Sequence, residues 1–76
     1  MSNALTRLQT FFVQQGSDPL SPDAPLQRHL DSVAMLDFIF YIENEFGIIV
    51  DDVDVTPKNF YCLETVAAYI AMKAAQ

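Results

Sequence analysis

The sequence predicts an all-α domain: a small four-helix bundle with three main helices, one short helix and a long first loop. Three observations carry that expectation. Apolar residues recur at helical spacing in three separate stretches. Turn formers punctuate the chain between them, at Gly16, Pro19, Pro22, Pro25, Gly47 and Pro57. The one run with strand character, Ile48-Ile49-Val50, has nothing to pair with, so it reads as extended chain plugging the core.

The first helix is expected over about Asn3 to Gln15, because Leu5, Leu8 and Phe12, with Phe11 beside them, recur at i, i+3 and i+7. Ser2 or Asn3 is placed to cap it and Gly16 to stop it. Residues 16–31 then hold three prolines among Gly, Ser and Asp, a long loop of turn formers. A loop of that length inside a small domain is often functional. Leu20 and Leu26 are the residues to pin it to the core.

The second helix is expected from about Ser32 to Phe46, with Asp31 or Ser32 as N-cap and Gly47 as the stop. Two apolar stripes run along it. Met35, Phe38, Ile39, Ile42 and Phe46 form a core stripe; Val33, Leu36 and Phe40 form another, offset from the first. A small domain cannot bury a helix on every side, so the second stripe is expected to meet a partner. Beyond the plug, Asp51 to Asp54 reads as polar and irregular. Thr56-Pro57-Lys58-Asn59 reads as a cap with proline in the first turn, hence a short helical turn with Phe60 pointing inward. The last helix covers about Leu63 to Ala74, with Val66, Ala67, Ile70 and Ala74 facing the core and Glu64 in the first turn.

Composition narrows the function. With 76 residues, 51% of them hydrophobic, residues 1–76 make one small globular domain. One cysteine, Cys62, excludes an internal disulfide and a cysteine-cluster metal site, and a lone thiol suits the reducing cytoplasm. No stretch reaches the roughly 20 apolar residues of a membrane span, and the start lacks the pattern of a signal peptide. The net charge of −6 is unevenly spread: seven acids and no Lys or Arg lie between Asp31 and Asp54. An acidic face disfavours nucleic acid and steers basic protein partners toward it. The same acids also serve solubility alone.

Catalytic and metal readings fare poorly. A serine nucleophile at Ser32 needs a base and an oxyanion site, and the single histidine, His29, precedes it by three residues without a glycine-flanked elbow. A calcium loop starting at Asp52 would put Pro57 at the glycine position and Leu63 at the bidentate acid. No catalytic residue and no metal ligand is therefore assigned. Capping by itself explains Asp31-Ser32, but the second stripe begins beside the serine at Val33.

From Leu30 onward the chain resembles the acyl and peptidyl carrier proteins. The residues that carry the resemblance are Leu30-Asp31-Ser32-Val33, then Phe38 through Ile48 with its Glu45-Phe46-Gly47-Ile48, then Thr56-Pro57-Lys58-Asn59-Phe60 and Leu63 through Ile70. The first helix matches by pattern only. The resemblance implies that a phosphopantetheinyl transferase attaches 4'-phosphopantetheine from coenzyme A to Ser32, making it a phosphoprotein, with Asp31 aiding that transferase's metal site. It implies that Val33, Leu36 and Phe40 face partner enzymes and that Asp37 and Glu43 meet their basic residues. Ala34 and Asn44 stand where fatty-acid carriers usually have acids. Arg28-His29-Leu30 lacks the usual glycine, and Cys62 replaces a Ser or Thr cap, weakening it by about 0.5–2 kcal/mol.

The expectation is a monomeric, non-enzymatic carrier of acyl or aminoacyl thioesters for secondary-metabolite biosynthesis. Its partners would be the transferase, an acyl- or aminoacyl-loading ligase and a downstream synthase or transferase. The alternative is a cofactor-free helical interaction module in which Ser32 only caps; a small hydrolase built on Ser32 and His29 ranks last.

Overall fold

Three α-helices carry the fold in the computed structural model, which describes residues 4–16 and 18–75. They are α1 (Ala4–Gln14), α2 (Ser32–Phe46) and α3 (Leu63–Ala74). Two single 3-10 turns, Leu26–Arg28 and Asp52–Asp54, lie in the connections, and the described residues hold no strand. The caps expected at Ser2 or Asn3 lie outside the described residues.

The α1 stripe is the one the spacing predicts: Leu8, Phe11 and Phe12 are buried and Leu5 packs against them. Its chain reverses at Gly16, whose φ of 87° is cheap only for glycine. The long loop is held at both ends. Leu20 and Leu26 are buried. The Gln9 side-chain amide donates to the Leu20 carbonyl (2.8 Å) and the Leu26 N–H donates to Tyr61 O (2.8 Å). The Pro22 carbonyl accepts the Glu64 N–H at 3.1 Å, satisfying one of the orphan donors at the start of α3.

Helix α2 meets α1 through aromatic rings. Phe38 sits 5.2 Å from Phe11 and 5.7 Å from Phe12 between centroids, and Tyr41 lies 5.3 Å from Phe11. Tilted pairs at this separation add roughly 0.5–1.5 kcal/mol each beyond burial. The Tyr41 hydroxyl donates to Arg7 O (2.6 Å), and Arg7 pairs with Glu45 at 2.8 Å while stacking over Phe46. Gly47 then ends the helix with φ 66°, its N–H donating to Glu43 O (3.0 Å).

The segment between α2 and α3 departs from expectation in two places. Only Val50 of the apolar run is buried, with Ile48 half-buried, whereas Ile49 stands 75% exposed. Extended chain turns alternate side chains to opposite sides, so one of three had to face water. The short fourth element is a single helical turn, preceded by a second turn that was not expected. The Asp52–Asp54 turn occupies the stretch read as irregular, and Val55, with ψ 79°, breaks the helical path after it. The Thr56 turn is as expected: its hydroxyl oxygen accepts the Asn59 N–H at 3.2 Å, the Phe60 N–H closes the turn on Thr56 O, and Phe60 is buried.

In α3, Leu63, Val66, Tyr69 and Ile70 are buried. Ala74 is exposed, contrary to its expected inward position, because the last turn runs past the edge of the core. Tyr69 fills the inward role instead, 5.8 Å from the Phe60 ring and donating its hydroxyl proton to Asp54 Oδ2 at 2.7 Å. Cys62 is the N-cap and is buried. Its sulfur faces the Thr65 N–H as a weak acceptor. The firm half of this capping box comes from Thr65, whose hydroxyl accepts the Cys62 N–H (3.1 Å) and donates to Cys62 O (2.9 Å).

Candidate functional site

The start of α2 assigns different work to two adjacent residues. Asp31 is the N-cap: its backbone is extended, its Oδ1 accepts the Ala34 N–H at 2.8 Å, and its carbonyl accepts the Met35 N–H at 2.8 Å. Ser32 is the first helical residue and is exposed. Its hydroxyl has no hydrogen-bond partner among the described residues. The reading in which Ser32 only caps the helix is therefore overturned, because the neighbouring carboxylate already fills that place. The Ser32 and Val33 N–H groups are left facing outward at the positive end of the helix dipole, beside the free hydroxyl.

This local chemistry suits a phosphodiester. The serine oxygen is unshielded, and the helix start favours negative charge. His29 closes the preceding turn with its N–H on Leu26 O (2.9 Å) and is exposed. The structure does not join it to Ser32 by a hydrogen bond.

The second stripe of α2 is out in solvent. Val33, Leu36 and Phe40 are 70%, 55% and 57% exposed, while Phe38 and Ile42 on the opposite side are fully buried. Asp37 is exposed on the same helix. Glu43 differs from it: half-buried, it spends Oε2 on the Val50 N–H at 2.9 Å and so ties α2 to the chain that follows. Sequence reasoning missed the two most exposed large apolar side chains, Ile49 and Val53, the latter 81% exposed. The available signal was an isolated valine between Asp52 and Asp54, which a packed segment would not surround with acids.

Ion pairing explains how the acids divide. Lys73 reaches Asp51 (3.3 Å) and Asp54 (3.9 Å), and Arg7 holds Glu45. Asp37, on the helix that carries the exposed stripe, has no cation partner among the described residues, so its charge is not neutralised internally. Burial first, and then Asp54, raises the Tyr69 phenol well above its ordinary range. Burial and Glu45 raise Tyr41 less. No group of three or more His, Cys, Asp or Glu among the described residues is arranged to hold a metal ion. No helix among them is long and apolar enough to cross a membrane.

No protein-family model matches the chain, and no curated protein matches it. Solved structures do. The fold is similar to a chain in the crystal structure of the Bradyrhizobium japonicum glycine:[carrier protein] ligase complexed with glycylated carrier protein, with a TM-score of 0.68 and 24% identity over 84% of this chain and 89% of that one. It is similar also to a chain in a crystal structure of an FAD-dependent dehydrogenase, with a TM-score of 0.70 and 23% identity over 88% of this chain and 97% of that one. Both matched chains are therefore close to this one in length. At such identities the likeness is one of fold.

Proposed function

We propose that this chain is a carrier protein. A phosphopantetheinyl transferase moves 4'-phosphopantetheine from coenzyme A to Ser32: the serine oxygen attacks the pyrophosphate phosphorus nearer pantetheine, the bond to the other phosphate breaks, adenosine 3',5'-bisphosphate leaves, and the transferase takes the serine proton. The arm's thiol then holds an acyl or aminoacyl group as a thioester. The protein is not itself an enzyme; it supplies an address and reach, as a cytoplasmic monomer.

The observation that carries this reading is the division of labour at the helix start. Asp31 caps, which leaves the Ser32 hydroxyl exposed and unengaged beside an apolar stripe. Val33, Leu36 and Phe40, with Asp37 and one free oxygen of Glu43, form the surface that meets the transferase, a loading ligase and a downstream synthase or transferase. An aminoacyl-loading ligase is favoured because one structural neighbour is a chain in the crystal structure of a glycine:[carrier protein] ligase complexed with glycylated carrier protein.

The test is intact-mass measurement after incubation with coenzyme A and a broad-specificity transferase. Wild type should gain one phosphopantetheinyl group and Ser32→Ala none. An unmodified wild type, or a gain that survives Ser32→Ala, would refute the proposal and return the exposed stripe to a cofactor-free docking module.

A further inference from the structure

We infer that the group this protein carries is short and polar and stays in water, rather than a long acyl chain folded into the bundle. The inference rests on the carrier reading above and names the class of cargo. A long acyl thioester exposes apolar surface, so a carrier that shields it must offer space among its own helices. The interior here is already full. Leu8, Leu26, Phe38, Ile42, Leu63 and Val66 are fully buried, and the rings of Phe11, Phe12 and Phe38 touch at 5.2–5.7 Å. Close-packed interiors do not admit extra methylenes without forcing side chains off their preferred rotamers.

The depression nearest the first turn of α2 makes the same point. It opens to solvent, holds about 190 Å³ and is lined by Gln27, Met35, Val55, Thr56, Pro57 and Phe60. Phe60 closes it: the ring is only 4% exposed and is braced against Tyr69, which is itself tied to Asp54. To pass this point a chain would have to displace an aromatic ring held by that contact. Two larger depressions, of about 360 and 430 Å³, also open outward; Asp18 and His29 stand in the wall of the first, and Lys58, Asn59 and Thr65 share the second with Ala68, Tyr69 and Met72. Among the described residues the one hydroxyl in the core, that of Tyr69, is already committed to Asp54, and no charged side chain is buried there to receive a thioester or amide of the arm. A small aminoacyl group needs none of this shelter, because its charged amine is better solvated by water.

The test loads one protein with two cargoes. The transferase attaches synthetic glycyl- and dodecanoyl-pantetheine from the corresponding coenzyme A analogues, and amide resonances and thermal midpoints are compared with the unacylated holo form. The expected result is that both cargoes leave the resonances of Phe38, Ile42, Phe60, Leu63 and Val66 in place and the midpoint unchanged. The dodecanoyl form should also be retained markedly longer than the glycyl form on a hydrophobic-interaction column. Movement of those core resonances together with a raised midpoint for the dodecanoyl form would overturn the inference and leave the carrier function standing. Failure of the transferase to attach plain phosphopantetheine to wild type would overturn the carrier reading, and this inference with it.

Discussion

Replacing Asp31 by alanine removes the oxygen that accepts the Ala34 N–H at 2.8 Å, and leaves that donor at the helix start to water. Loss of an N-cap costs about 1 kcal/mol, within a range of 0.5–2. The carboxylate also sits at the positive end of α2, where its charge contributes about 0.3–1 kcal/mol. A total of about 1–2 kcal/mol is expected for Asp31→Ala. For a domain of this size each kcal/mol moves the thermal midpoint by roughly 4–8 °C, so the fall should be roughly 4–16 °C. Asp31→Asn keeps an acceptor and loses only the charge, so it should cost no more than about 1 kcal/mol. Ser32→Ala removes a hydroxyl with no partner, at an exposed position where alanine is the better helix former, so its effect should stay within about 0.5 kcal/mol. Urea titrations of the three variants measure this directly: the midpoint moves for Asp31→Ala while the slope is unchanged. If Ser32→Ala lowered stability as much as Asp31→Ala, the serine would be the working cap, and the case for a free hydroxyl at residue 32 would collapse.

Leu63→Ala should cost about 2–5 kcal/mol, a large part of a small domain's stability, because the side chain is fully buried where α3 begins; a urea-measured loss below about 1 kcal/mol would contradict that packing. Phe40→Ser, on the exposed stripe, should change stability by no more than about 0.5 kcal/mol in the same assay, and a loss above about 1.5 would place the ring in the core. Tyr69 has a raised phenol pKa when folded and an ordinary one near 10 when unfolded. The folded state therefore keeps a proton that the unfolded chain gives up, so its stabilising contribution is intact below about pH 10 and is lost as pH rises beyond it. Tyr69→Phe should flatten that alkaline loss while costing about 1–2 kcal/mol at neutral pH, through the missing bond to Asp54; equal pH dependence in both proteins above pH 10 would refute the linkage.

Local patterns in the chain were easy to read and proved durable. The α2 bounds at Ser32 and Phe46 follow from Asp31 before and Gly47 after, and the two stripes divide as their spacing requires, with Phe38 and Ile42 inside and Val33, Leu36 and Phe40 outside. Readings that depended on distant neighbours did less well. Ala74 follows Ile70 by four residues on a helical face, yet the core ends before reaching it. Tyr69 was not singled out as an inward residue, because its burial depends on Asp54 accepting the hydroxyl proton from across the connection. Ile49 was read as part of the core plug, and its exposure follows from the alternation of side chains around the buried Val50.

The amino-acid sequence alone determined that this protein is helical, where its helices begin and end, and that Asp31-Ser32 marks the start of the central one. Those features arise from hydrogen bonds and side-chain spacing within a few residues. Only the tertiary structure decided which of two adjacent oxygens the fold uses. Asp31 reaches the Ala34 N–H, and the Ser32 hydroxyl is left over. It also decided that Glu43 is partly committed to the Val50 N–H while Asp37 stays free, and that aromatic side chains fill the interior. Each is a competition between groups for one donor or one volume, and its outcome exists only when the three-dimensional neighbours are in place.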